Sequence, residues 1–215
     1  MITEEVSNFV CSLNLDQVPG DVQAVAKRHI LDTLGVIIAG IREEAAHIGI
    51  KHAALMGGGG HGAPPLQAFI YGLLGHVLDY DDTQLATRPA GVYGLLTHPS
   101  VPVLSAALAS ARERKASGKE LLTAFIAASE AECRLSDAID PRHYREGFHS
   151  SGTVGTLGAT LAAAKILNLD VGRTRMALGI GASSAAGLRE NFGTMTKSLH
   201  VGRAAQHGVE AAHLA

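Results

Sequence analysis

Tryptophan is absent from the 215 residues, aromatic side chains make up only 4% of them, and cysteine occurs twice. Two isolated thiols, Cys11 and Cys133, exclude a disulfide framework and read as reduced, buried, small apolar groups. Excess charge is also missing: the formal balance is −2, so no basic surface for nucleic acid is expected. Long apolar runs are lacking too. The uncharged stretch 147–164 is rich in Gly, Ser and Thr and contains His149, which is too polar for a membrane span. Glu4 and Glu5 precede any apolar stretch, the reverse of a secretory signal, so a cytoplasmic protein is expected.

What is present is small and helical. The chain is 47% hydrophobic with 25 glycines, a composition that lets helices pack backbone to backbone, and it is long enough to bury a real core. Val6, Phe9, Val10 and Leu13 follow helical spacing behind Thr3 as the expected cap. After Pro19-Gly20-Asp21, the positions Val22, Val25, Ala26, His29 and Ile30 line a second helix. That helix runs into the apolar stretch 34–39, expected to be buried on most sides, and stops at Gly40. Residues 41–65 read as a short polar helix and then a mobile loop, because Gly57 to Gly60 and Pro64-Pro65 oppose helix. The glycine run lacks a preceding strand and a Gly-Lys-Ser/Thr ending, which argues against a phosphate loop. Further helices are expected over 99–116, 119–135, 152–167, 171–182 (capped by Asp170) and 201–215. No alternating strand pattern and no fixed-period repeat is visible, so the fold class is all-α, one domain over 1–215.

One stretch stands apart. Leu78-Asp79-Tyr80-Asp81-Asp82-Thr83 places three carboxylates at the end of an apolar run and is followed by Thr97-His98-Pro99-Ser100. If the helix continues, Asp79, Asp82 and Thr83 share a face and Asp81 points elsewhere. A solvated helix end with capping aspartates is the plain alternative. An isoprenoid-synthase-like magnesium–diphosphate motif would need an acid at Leu85, and no second metal motif appears. The eleven histidines are dispersed, which excludes a histidine-tract metal site, and no metal ligands are assigned.

The wider pattern resembles the MmgE/PrpD family. The resemblance rests on Ala26-Lys27-Arg28-His29-Ile30-Leu31-Asp32-Thr33-Leu34-Gly35, on His76 through Thr83, and on Thr97 through Ser100. It continues through Tyr144 to His149, Gly152-Thr153-Val154-Gly155, and Gly193 through Ala205. It implies a large all-α domain, a smaller α+β domain missing from this chain, a homodimer, no organic cofactor and a small carboxylic-acid substrate. It also implies that Asp79, Thr83, His98, His149 and Lys197 match active-site positions of the cis-aconitate decarboxylase branch. Gly193-Thr194-Met195-Thr196-Lys197 looks more like the decarboxylase and epimerase branches than the 2-methylcitrate dehydratases. The chain departs from the pattern in three places: Tyr71 stands where the family usually has Asn, the 41–65 segment looks shortened, and the sequence ends at Ala215 within an expected helix. The last reads as a truncation.

Residue chemistry fits these roles. His98 and His149 titrate near neutral pH and suit proton transfer. Lys197 suits a substrate carboxylate, with His200 one turn on, while Thr83 and Arg203 are further substrate-binding candidates. Asp79 is expected to orient a histidine and fix its tautomer. Bland alternatives exist for each: His98 and His149 as helix-end residues, Lys197 as a surface cation, and Arg203 as the partner of a helix end or an acid. His29, His47, His52, His61, His207 and His213 are read as structural or exposed. The function expected is an acid–base lyase or isomerase on a small di- or tricarboxylic acid, resembling cis-aconitate decarboxylase or 2-methylcitrate dehydratase. An iminodisuccinate-type epimerase is the alternative, and a catalytically silent helical dimerisation remnant is the reading from another class.

Overall fold

The computed structural model describes residues 1–58, 62–84, 96–139 and 142–215. Ten α-helices are formed among them: α1 (Ile2–Ser12), α2 (Gly20–Gly40), α3 (Glu44–Ala53), α4 (Pro64–His76), α5 (Ser100–Arg114), α6 (Gly118–Ala138), α7 (Arg142–Arg145), α8 (Ser150–Ile166), α9 (Val171–Ser184) and α10 (Thr196–Leu214). Only two isolated antiparallel bridges, Gln84 with Thr97 and Phe148 with Leu188, join extended backbone among the described residues. The chain is all-α.

Helix α8 is the axis of the packing, flanked by α5, α6, α9 and α10. Almost all its residues are buried, yet many are Gly, Ser or Thr. Two of its threonine hydroxyls are satisfied within the helix: Thr156 donates to the Gly152 carbonyl and Thr160 to that of Thr156, both at 2.7 Å. Large anchors are few. Phe69, Leu104, Leu161 and Ile166 are fully buried, each contributing about 1.5–3 kcal/mol, and alanines fill most of the remaining core.

The contact that matters most for function is between α4 and α10. Gly72 lies against the Val201 carbonyl and Gly202 against that of Phe69; a Cβ on either would approach the oxygen to 2.7 or 2.9 Å. The two backbones therefore touch, which fixes the end of α4 against the start of α10. His76 and Lys197 sit on those two ends.

Several elements differ from expectation. Met1, not Thr3, occupies the position before α1. The apolar half of α2 buries Val36 and Ile37 but leaves Ile38 67% exposed, because a helix on the outside of a bundle hides only one face. Pro64 and Pro65 open α4 instead of belonging to a loop, since the first helical positions need no N–H donor. Between α3 and α4 a π turn spans Ala54–Gly58; Gly59, Gly60 and His61 of the expected loop, like Leu85 of the aspartate-motif alternative, lie outside the described residues. Helix α10 begins at Thr196, well before Val201. Asp170 does cap α9, accepting the Arg173 N–H at 2.8 Å.

Candidate active site

The aspartate cluster is not a helix face. Helix α4 ends at His76, and Asp79 turns the chain with φ +57°, a left-handed conformation that aspartate tolerates better than most residues. The three carboxylates then part. Asp82 caps α5, accepting the Ser100 N–H at 3.2 Å and the Ser100 hydroxyl at 2.6 Å, and pairs with His29 at 3.1 Å. Asp79 stays half-exposed and accepts a hydrogen bond from the Lys197 ammonium. Asp81, expected to point elsewhere, turns inward and is fully buried against His76, with Nδ1 to Oδ2 at 2.8 Å. The expected grouping of Asp79, Asp82 and Thr83 on one face is thus replaced by Asp79 with Asp81.

His98 reaches the same place from the segment before α5. Its backbone N–H donates to the Ser151 hydroxyl at 3.0 Å, and the Ser150 hydroxyl donates to the Leu96 carbonyl, pinning this segment to the start of α8. Next to it, the Thr97 hydroxyl donates to Glu132 at 3.1 Å. His149 stands immediately before α8, its N–H bound to the Gly187 carbonyl at 3.0 Å. Gly187 (φ +144°) lies against both His149 and His200, where a Cβ would come within 3.3 Å of each and the backbone conformation would be strained for any other residue. The Arg189 guanidinium stacks on Tyr144 at 3.8 Å and donates to its carbonyl at 2.7 Å, so the 185–195 segment closes one wall.

Asp79, Asp81, Thr83, His98, His149 and Lys197 line one cleft of about 350 Å³, with Leu96, Tyr144 and Phe192 completing it. The histidines form a contiguous group: His76 meets His98 edge-on at 4.8 Å and stacks on His149 at 5.6 Å, while His149 and His200 share a hydrogen bond between Nδ1 atoms at 3.1 Å. Burial disfavours the charged form of His98, His149 and His200. It pushes His149 down to about 2, helped by His76, His200, Lys197 and His98. His98 is lowered by burial against the opposing charge of Asp81, and His200 by burial and His76. Partial burial raises Asp79, but the hydrogen bond and charge of Lys197 outweigh it and its carboxyl ends below the usual range.

Of the residues singled out in the sequence, Arg203 is elsewhere. It bonds Gln206 at 2.7 Å, lies 3.4 Å from His52 and packs over Phe69, in a neighbouring pocket. His200 touches the site through His149. Asp81, His76, Tyr144 and Phe192 were not singled out as site residues. His76, Asp81 and Tyr144 lie inside the quoted motifs; Phe192 carries no such signal. No metal ligands were expected, yet His76, Asp79, Asp81 and His98 offer atoms within 4.8 Å of one another. Lys197 already holds Asp79, so a cation there would displace or repel an ammonium.

Beneath the site, Glu132 is fully buried, and burial raises its carboxyl well above the ordinary range despite the Thr97 hydrogen bond. Burial thus favours its protonated, uncharged form. Replacing it with the neutral isostere, Glu132→Gln, should change stability at pH 7 by only about 1 kcal/mol. Urea denaturation checks this, and a loss of several kcal/mol would mean that a buried carboxylate is needed.

The bundle thus gathers imidazoles, an ammonium and carboxylates, groups that can carry protons and hold charge, on one cleft. The sequence matches the MmgE/PrpD N-terminal domain over residues 4–215, and the chain belongs to this family. It is 36% identical over 227 residues to human cis-aconitate decarboxylase, with all of this chain and 46% of that protein aligned. Identity to the mouse enzyme is 33% over 226 residues, covering all of this chain and 45% of the enzyme. For cis-aconitate decarboxylase of Aspergillus terreus it is 26% over 219 residues, or 97% of this chain and 44% of that protein. The chain thus spans about half the length of these relatives. Among the described residues no helix is long and apolar enough to cross a membrane.

Proposed function

We propose that the cleft binds a small di- or tricarboxylic acid and moves protons at the carbon beside a carboxylate, as a cis-aconitate decarboxylase-type lyase. The observation that carries this reading is the convergence of His98, His149 and Lys197, from three separate segments, on one cleft with Asp79. Lys197 provides the positive charge that a substrate carboxylate exchanges for Asp79. In a decarboxylation, carbon dioxide leaves and the carbanion equivalent takes a proton from an acid; in an epimerisation or dehydration, a base first removes one. Neutral His98 suits removal directly, and delivery follows once it has taken up a proton. Thr83 at the cleft edge supplies a hydroxyl for a second carboxylate. A dimer fits this reading, since Leu31, Ile38 and Ile48 leave apolar surface along α2 and α3.

The test is turnover of the purified chain on cis-aconitate, 2-methylcitrate and iminodisuccinate, alongside His98→Ala. Turnover of at least one acid, reduced about 100-fold or more in the variant, is the expected result. Turnover that survives the substitution unchanged contradicts the site. No turnover of any of the three, with no binding of them, favours the catalytically silent helical module.

A further inference from the structure

The chemistry of His98 depends on which of its ring nitrogens carries the proton, and the cleft alone does not decide that. The two nitrogens face different carboxylates. Nε2 lies 3.8 Å from Asp79 Oδ1, at the open side where Asp79 is engaged by Lys197. Nδ1 lies 3.5 Å from Asp81 Oδ2, in the buried interior. The same Asp81 oxygen accepts from His76 Nδ1 at 2.8 Å, and neither side chain of that pair is exposed. His98 Nδ1 has no closer hydrogen-bond partner, and Asp81 Oδ1 and His76 Nε2 are likewise buried without one.

We propose that His76 and Asp81 form a buried positioning pair that fixes His98 as its Nδ1–H tautomer, leaving the Nε2 lone pair toward the cleft. The inference deepens the reading of His98 as a proton carrier and rests on it. His76 donates one ring proton to Asp81, which holds the carboxylate rigidly, and the carboxylate attracts the second proton, on His98 Nδ1. A carboxylate can take two such donors at one oxygen, whereas the opposite tautomer would set the His98 Nδ1 lone pair against an anion. Packing supports the geometry: the edge-on contact of the His76 and His98 rings stops His98 from turning away. The role expected of Asp79, orienting a histidine, thus falls to Asp81, and Asp79 serves Lys197. Among the described residues, the charged and titratable groups around His98 are Asp79, Asp81 and His76 at and after the end of α4, Lys197 on α10, His149 before α8 and Tyr144 across the cleft.

Nitrogen-15 NMR of the chain labelled at histidine reads the tautomer directly and needs no catalysis. At pH 7.5 the His98 signals, assigned with His98→Gln, should show a protonated Nδ1 and an unprotonated Nε2. Asp81→Asn should turn this into a mixture or the reverse tautomer, whereas Asp82→Asn, at a carboxylate that bonds Ser100 and His29 instead of His98, should leave it unchanged. With a substrate that turns over, Asp81→Asn should lower kcat about 100-fold with KM little changed. A dominant Nε2–H tautomer in the unsubstituted chain overturns the proposal whether or not the variants fold. So does an Asp81→Asn tautomer identical to it. Loss of turnover on every acid, with the tautomer as predicted, would instead count against the lyase reading and leave the positioning pair standing.

Discussion

Lys197→Ala is expected to lower kcat/KM about 100- to 1,000-fold on whichever acid the chain turns over, with the fold intact. The magnitude is that of removing one preorganised donor from a site where negative charge must be held. The stability effect should be small. The partner Asp79 is 56% exposed, and an ion pair with a carboxylate that open to water contributes about 1 kcal/mol at most. Large kinetic and small thermodynamic effects together distinguish a substrate ligand from a structural cation. Steady-state kinetics and thermal melting of the same preparation measure both, and an unchanged kcat/KM would remove Lys197 from the site.

The second large effect is on stability in acid. His149 titrates near 6.5 when unfolded but only at about 2 in the folded chain, so between those values the unfolded chain holds a proton that the folded one refuses. Its contribution is fully present above pH 6.5 and is lost as pH falls, by about 1.4 kcal/mol for each unit. His98, His143 and His200, also lowered by burial, act in the same direction. Glu132 opposes them: its raised carboxyl stabilises the fold at low pH and loses that contribution as pH rises through its folded value. Unfolding free energy should therefore fall steeply below pH 6.5. In His149→Gln the slope between pH 4.5 and 6.5 should shrink by about one proton's worth, whatever the variant's absolute stability. Urea unfolding at a series of pH values gives that slope; an unaltered slope would mean that His149 already titrates normally in the folded chain.

Helical periodicity carried most of the fold, because a bundle of amphipathic helices writes its contacts into the spacing of apolar residues. The end of α4 was not legible. Val77 and Leu78 continue the apolar run past the end of the helix, and the chain turns there as Asp81 is buried against His76. A helical projection groups Asp79 with Asp82 and Thr83 and points Asp81 elsewhere, whereas folding brings Asp81 to the cleft with Asp79 and Thr83 and leaves Asp82 capping α5. The exposed side of α2 was illegible for a related reason: Ile38 lies in an apolar run, and periodicity does not say whether a neighbour covers both faces. His98, His149 and Lys197 came from motif resemblance, since nothing in their local spacing says that three distant segments meet. Arg203 shared a motif with Lys197 but lies further along α10, and the helix carries it past the cleft to Phe69.

The central claim is that two imidazoles and one ammonium form a single receptor for a polycarboxylate. Titrating cis-aconitate into the isotopically labelled chain while following His98, His149 and Lys197 side-chain signals tests this most directly. The account predicts saturable shifts of all three with one common Kd, lost in Lys197→Ala. Independent Kd values for the three groups, or shifts confined to residues outside the cleft, would contradict it.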